Sequence, residues 1–193
     1  MNSVILLTII TLITLSSQNC LAHFGMLIPE QSVITQKKKS IQFNLAFAHP
    51  FENVGMEMAK PKTFSVTVDG QTTDLTDTLR PATFMQHGSW KTSFTFKKPG
   101  VYHFTMEPTP YWEPGEDVSI IHYTKTIIGA YGDDQGWDTP LGLPAEIIPL
   151  LRPFGNYAGN SFTGQVLLGG KPAPSTLVEV ELYNADKELR PPT

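Results

Sequence analysis

The chain has 193 residues, a formal net charge of −4, 15 glycines and 16 prolines. This length suits one ordinary domain and part of a second, and the charge lacks the basic field typical of nucleic-acid binding. The single cysteine, Cys20, lies near the N-terminus. If that region is removed, the protein has no disulfide, no thiolate ligand and no cysteine nucleophile.

The N-terminal region has the layout of a secretion signal. Residues 4–15 form an apolar run of 12 residues, which is shorter than the roughly 20 residues of a membrane-spanning helix. Small residues stand at Cys20 and Ala22, the −3 and −1 positions of a cut after Ala22. We therefore expect residues 1–22 to be a signal peptide and the mature protein to be secreted or periplasmic. A lipoprotein acylated at Cys20, or an uncleaved anchor, is the alternative.

Several short segments alternate apolar and polar residues with the period of a half-buried β-strand. They are residues 41–49, 64–68, 90–96 and 101–106. His49 is the last residue on the core face of the first segment, whereas His103 is expected on the exposed side of the fourth. Asp69-Gly70 predicts a hairpin turn after the second segment.

The longest predicted strand runs from Val118 to Ile128 and is apolar on both faces, which is typical of a central strand. His122 lies within it. After residue 22, no segment has a sustained stripe of apolar residues with the 3.6-residue period of a helix, although residues 56–60 and 145–150 are compatible with a short helix. Short strands with frequent turn signals predict an all-β protein, an immunoglobulin-like antiparallel sandwich.

The C-terminal part changes character. Residues 133–157 are rich in glycine and proline but keep large apolar side chains, as in an ordered crossing segment. We place the sandwich domain at residues 23–157 and a partial second β-domain at 158–193, with a predicted strand at 176–183. Two strands cannot bury a core by themselves. The second unit therefore either docks on the sandwich or is truncated.

Three of the five histidines are candidate metal ligands. After cleavage, His23 becomes the N-terminal residue, and its α-amino nitrogen, with a pKa near 8, can chelate one ion together with its Nδ1. Imidazole suits nickel, cobalt, copper and zinc. His49 and His122 face inward in their predicted strands, where each is either a ligand or a hydrogen-bonded core residue. His87, in a predicted loop, and His103 are weaker candidates.

Methionines and carboxylates add further donors. Met56 and Met58 follow His49 closely, and thioethers favour Cu(I), although methionine also fills gaps in cores. Glu113 belongs to an acidic run at residues 111–117 that could ligate an ion, hold a histidine ligand, or form a solvated turn. The sequence has no serine elbow and no P-loop, so we do not expect an enzyme.

Several motifs stand in a characteristic order along the chain. They are residues 22–26 (AHFGM), 49–51 (HPF), 55–58 (GMEM), 111–117 (YWEPGED), 121–125 (IHYTK), 136–138 (GWD) and 152–160 (RPFGNYAGN). Together they resemble a secreted bacterial domain-of-unknown-function family associated with nickel/cobalt transport. The resemblance covers residues 22–184, and Gly164–Asn184 is similar to the opening of a carboxypeptidase-regulatory-like (prealbumin-like) β-domain.

The resemblance implies an extracytoplasmic protein that binds nickel or cobalt as an accessory component of a metal uptake transporter, with the transporter's membrane component as its partner. The predicted ligands are His23, His49, His122, Met56, Met58 and Glu113. Two other functions stay open. One is a copper-binding histidine-brace protein or enzyme, which the methionines favour. The other is a structural or adhesion sandwich that binds no metal.

Overall fold

The computed structural model of the chain describes residues 24–113, 117–157 and 159–183. The predicted signal peptide, Cys20 and His23 lie outside the described residues, so the predictions made for them stay predictions. Apart from a single 3₁₀ turn at Thr76–Thr78, the regular structure in these ranges is β-strand. Within them, no helix has the length and apolar character needed to cross a membrane.

The strands of the described ranges follow one another with short connections. They are β1 Phe24–Pro29, β2 Val33–Ile34, β3 Ser40–His49, β4 Val54–Met56, β5 Thr63–Val68, β6 Gln71–Asp74, β7 Arg80–Phe84, β8 His87–Thr95, β9 Gly100–Glu107, β10 Tyr111–Glu113, β11 Val118–Ile120, β12 Thr124–Ala130, β13 Ala145–Pro149, β14 Gly164–Leu168 and β15 Lys171–Pro172. The four alternating segments of the sequence correspond to β3, β5, β8 and β9, so their prediction is confirmed.

Two five-stranded sheets form the body of the protein. The first has the order β1-β3-β8-β7, with β4 also paired to β3, and the second has the order β2-β12-β9-β5-β6. Their neighbouring strands are antiparallel except for the short parallel pair of β2 with β12. Two small sheets, β10-β11 and β13-β14-β15, complete the described part. The all-β sandwich prediction is confirmed.

Aromatic rings from both large sheets meet in the core. The ring centroids of Phe43 on β3 and Phe104 on β9 are 4.5 Å apart, and those of Phe94 on β8 and Phe104 are 5.1 Å apart, edge to face. Phe43 and Phe104 have no solvent exposure. Burial of one such side chain stabilises a fold by about 1.5–3 kcal/mol, so these inward positions hold the sheets face to face.

Two tight hairpins set the register of neighbouring strands. Asp69 and Gly70 both have positive φ values, 50° and 70°, between the paired residues Val68 and Gln71. This confirms the turn predicted there and matches the two-residue hairpin class that needs left-handed backbone. A second hairpin of this kind joins β7 to β8, and it places His87 at the start of β8 rather than in the predicted loop. Its turn residues lack the usual Asn-Gly signal, which explains the wrong prediction.

The long strand predicted from Val118 to Ile128 is wrong as a single element. The structure divides it into β11 and β12, and residues 121–123 between them are not strand. The two parts pair with different partners, because β11 pairs with β10 and β12 with β9. His122 therefore lies in a connection, where its side chain is not restricted to one face of a sheet.

The C-terminal region also differs from expectation. β13, which precedes residue 157, pairs with β14, which follows it; the domain boundary predicted after residue 157 stays a prediction. The strand predicted at 176–183 is wrong, because the structure assigns no strand there. The short helices considered at 56–60 and 145–150 are absent from these described ranges. In place of the helix considered at 145–150, the structure has β13. Its Glu146 and Ile148 are buried while Ile147 is exposed, which is the two-residue period of a strand.

Candidate metal centre

His49 ends β3 at one end of the sandwich. It follows Phe43, Leu45 and Phe47 on the same face of the strand, and only 3% of its surface is exposed. One nitrogen of its ring and one carboxylate oxygen each from Glu52 and Glu181 all lie within 4.8 Å of one another. A buried histidine and two carboxylates are a donor set that divalent transition metals accept.

The carboxylate of Glu181 reaches this place from the far C-terminal part of the described chain. The backbone N–H of Phe51 donates a hydrogen bond of 2.7 Å to Glu181 Oε1. Burial, and then the nearby charge of Glu52, raise the pKa of Glu181 even though the Phe51 N–H favours its charged form. Two carboxylates held this close repel one another, so a cation between them would be stabilised.

Sequence reasoning missed Glu52 and Glu181. Glu52 is three residues beyond His49, and that spacing was a usable signal, because a loop after a strand can turn a side chain back toward the strand end. Glu181 had no comparable signal. It lies in a segment that was read as a strand, and its partner Phe51 is 130 positions away.

His122 lies against the same end of the first sheet. Its ring packs edge to face on Phe47, with centroids 5.5 Å apart. Gly25 pairs with Phe47, and a Cβ on Gly25 would come within 2.7 Å of the His122 Cβ. The Thr124 hydroxyl donates to the Gly25 carbonyl oxygen at 3.0 Å. A glycine is therefore required at position 25 for His122 to approach β1 this closely.

The start of β1 belongs to this end as well. Phe24 pairs with Ala48, the neighbour of His49. Phe24 and His122 also line one cleft of about 620 Å³, together with residues of β12 and β13. Phe24, the residue that follows His23, thus lies beside His49 and His122, the other two predicted histidine ligands. The place of His23 itself stays a prediction.

The two predicted methionine ligands are packed against the core. Met56 pairs with Phe47 across β4 and β3 and is partly buried against the main hydrophobic cluster. Met58 is 5% exposed and belongs to that cluster. Its carbonyl oxygen accepts a hydrogen bond of 3.0 Å from Trp90 Nε1. The structure therefore gives Met58 a packing role, and its role as a ligand stays a prediction.

Glu113 lies on β10, two residues after Tyr111. The Tyr111 hydroxyl donates to Glu113 Oε2 at 2.9 Å, and the Tyr111 ring centroid is 6.4 Å from that of Phe47. Glu113 is therefore connected to the site through two aromatic side chains. Whether its carboxylate ligates an ion stays a prediction.

The remaining two histidines have other surroundings. His103 was expected to be exposed, but it is 4% exposed, and its Nε2–H donates to the Gly136 carbonyl oxygen at 3.0 Å. The crossing segment covers it, which the strand pattern alone could not show. Burial lowers the pKa of His103, although the bond to Gly136 opposes this effect. His87 Nδ1 is 3.5 Å from Glu57 Oε1.

A family described as "Domain of unknown function (DUF4198)" matches residues 20–193, nearly the whole chain. No curated protein matches the chain.

Proposed function

Because the chain belongs to the DUF4198 family, which is defined by sequence and not by activity, we propose its function from its own residues. We propose that it is an extracytoplasmic metal-binding protein that carries nickel or cobalt as an accessory component of a metal uptake transporter. It acts as a carrier rather than an enzyme. The membrane component of the transporter is its proposed partner, and this part of the proposal follows from the sequence resemblance.

A single observation carries the metal-binding proposal. The start of β1, the end of β3 and His122 meet at one end of the sandwich, since Phe24 pairs with Ala48 and Phe24 shares a cleft with His122. Segments far apart in sequence therefore meet at this end of the sandwich. This meeting supports the proposal that His23, His49 and His122 share one metal site there.

The pairing of β1 with β3 suggests how the N-terminal residue would join the site. In the observed register, Gly25 pairs with Phe47 and Phe24 with Ala48, and the same register continued by one residue would pair His23 with His49. We propose that this pair forms in the mature protein. The α-amino nitrogen and Nδ1 of His23 would then supply two donors, and His49 and His122 would supply one imidazole nitrogen each.

The donor set favours a borderline divalent ion. Imidazole nitrogens suit nickel, cobalt, copper(II) and zinc, whereas Cu(I) selects thiolates and thioethers. Met58 is enclosed in the hydrophobic core, and Met56 packs against the same core. These positions count against a thioether-rich Cu(I) site, and the titration described next compares nickel and cobalt with copper(II).

Calorimetric titration of the mature chain, beginning at His23, tests this proposal. Nickel(II), cobalt(II), copper(II) and zinc(II) are added separately to the wild type and to His49→Gln and His122→Gln. We expect binding of one ion per chain and a loss of affinity of at least about tenfold in each variant. The matched control is His87→Gln, which should bind as the wild type does.

A second comparison addresses the N-terminal chelate. A chain with one glycine before His23 keeps every side chain but moves the free amine away from the ring. We expect its nickel affinity to fall by at least about tenfold. Equal affinity would refute the chelate, and the absence of binding by the wild type would refute the proposed function. Preferred binding of copper, with oxidation of a polysaccharide, would favour the copper enzyme instead.

A further inference from the structure

The C-terminal strap, defined here as residues 173–183, crosses the end of the sandwich where His49 and His122 lie. The structure assigns no strand to it, and several of its apolar side chains face solvent, with Leu177 84% and Val180 93% exposed. A segment with no strand ladder and little apolar burial gains little free energy from docking. Its few specific contacts must therefore hold it.

Those contacts are concentrated at the metal-site end. Glu181 accepts the Phe51 N–H, the Tyr183 ring lies 6.4 Å from that of Phe84 on β7, and Glu179 lines the cleft that contains His122. The strap thus touches the loop after β3, the first sheet and the cleft. The first and third of these contacts place carboxylates of the strap beside the loop after His49 and in the cleft that His122 lines, and the second holds the end of the strap on the first sheet.

We infer that Glu52 and Glu181 are ligands of the ion held by His49, and that ion binding fixes the C-terminal strap over the site. The inference rests on the proposed metal-binding function and extends its ligand set to residues that no motif indicated. Ligand atoms about 2.0–2.2 Å from an ion lie at most about 4.4 Å apart. The observed spread within 4.8 Å therefore closes with small side-chain movements.

A bound ion also offsets the repulsion between carboxylates in the docked strap. Docking brings Glu181 within hydrogen-bond distance of Glu52, and when both carboxylates are ionised their repulsion opposes docking. A divalent cation converts this repulsion into attraction to both carboxylates. Because the ion then binds the docked state more tightly than the open state, mass action shifts the strap toward the docked state.

As a consequence, the surface of the protein differs between the metal-bound and the metal-free state. The strap with its exposed apolar side chains is fixed in the metal-bound protein and released in the metal-free protein. A transporter subunit that contacts the strap could therefore distinguish the two states. The ion class that fits a mixed nitrogen and oxygen set is a borderline divalent cation such as nickel, cobalt or zinc.

Nickel titration combined with amide hydrogen exchange tests the inference on the full mature chain. The variants are Glu52→Gln and Glu181→Gln, and the matched control is Glu107→Gln, an acid on β9 in the second sheet paired with Lys62. In the wild type, we expect nickel to slow exchange in residues 173–183. Each test variant should bind nickel at least about tenfold more weakly and lose this protection, whereas the control should match the wild type.

The outcomes separate the two proposals. If the wild type binds nickel and both variants bind it equally well, Glu52 and Glu181 are not ligands and the inference is wrong, while the proposed function stands. If affinity falls but exchange in the strap never changes on nickel addition, the coupling is refuted. If the wild type binds no ion, the proposed function fails first. Circular dichroism of each variant confirms that the sandwich is folded.

Discussion

The change Glu146→Gln should destabilise the fold strongly, because Glu146 is half of a buried ion pair. Lys125 Nζ and Glu146 Oε1 are 2.7 Å apart, and the two side chains are 9% and 1% exposed. The carboxylate also accepts the backbone N–H groups of Leu141 at 3.0 and 3.1 Å and Gly142 at 3.2 Å. One side chain therefore joins β12, β13 and the crossing segment.

The expected magnitude follows from these contacts. Glutamine keeps the shape but removes the charge, and its NH₂ group cannot accept a hydrogen bond from a backbone amide. The Lys125 ammonium is then buried without a counter-charge, a situation that destabilises proteins by about 3–5 kcal/mol. For a chain of this size, 1 kcal/mol corresponds to roughly 2–4 °C in Tm. We therefore expect Tm to fall by about 6–20 °C.

Urea unfolding monitored by tryptophan fluorescence, together with calorimetry, measures this effect. The control is Glu30→Gln, because Glu30 and Lys38 are 46% and 44% exposed and such pairs contribute at most about 1 kcal/mol. The double variant with Lys125→Met removes both charges and should be more stable than Glu146→Gln alone. A loss below about 1 kcal/mol in Glu146→Gln, equal to the control, would refute the reasoning.

Three further changes test other parts of the structure. Gly129→Ala should lower the free energy of unfolding by about 1–3 kcal/mol, because its Cβ would lie 2.3 Å from the buried ring of Phe154; an unchanged urea midpoint would contradict this. Burial lowers the pKa of His103 in the folded protein. Below the ordinary histidine pKa near 6.5, the unfolded chain therefore binds more protons than the folded chain. The free energy of unfolding should then fall as the pH decreases below about 6.5, by at most about 1.4 kcal/mol per pH unit. His103→Gln should flatten that slope; if urea unfolding from pH 7 to 5 gives the same slope for His103→Gln as for the wild type, this assignment is contradicted. Met58→Leu, a volume-conserving change, should lower stability by less than about 1.5 kcal/mol and leave nickel affinity unchanged; weaker nickel binding in calorimetry would make its thioether a ligand.

Local pattern was sufficient for the strands of the sandwich. The alternation of Ile41, Phe43, Leu45 and Phe47 predicted β3 and the inward direction of His49, because successive side chains of a strand point to opposite faces. The Asp69-Gly70 hairpin was predicted for the same kind of reason, since its left-handed backbone is a property of two adjacent residues. Such features need no knowledge of distant chain segments.

Predictions that depended on a partner strand were less successful. The apolar run from Val118 to Ile128 continues through residues 121–123, and only pairing with two different strands interrupts it. His103 was expected to face solvent because its immediate neighbours gave no sign that Gly136 would cover it. Both corrections come from segments that are distant in sequence.

The sequence by itself determined the all-β class, the main strands and the inward direction of His49, because strand periodicity is a local property; the strand predicted around His122 was wrong. Only the tertiary structure decided what lies beside both histidines. It placed His122 in a connection against Gly25, and it brought a nitrogen of His49 and carboxylate oxygens of Glu52 and Glu181 to within 4.8 Å of one another. Contacts of that kind depend on how sheets and crossing segments pack, and no short-range pattern encodes them.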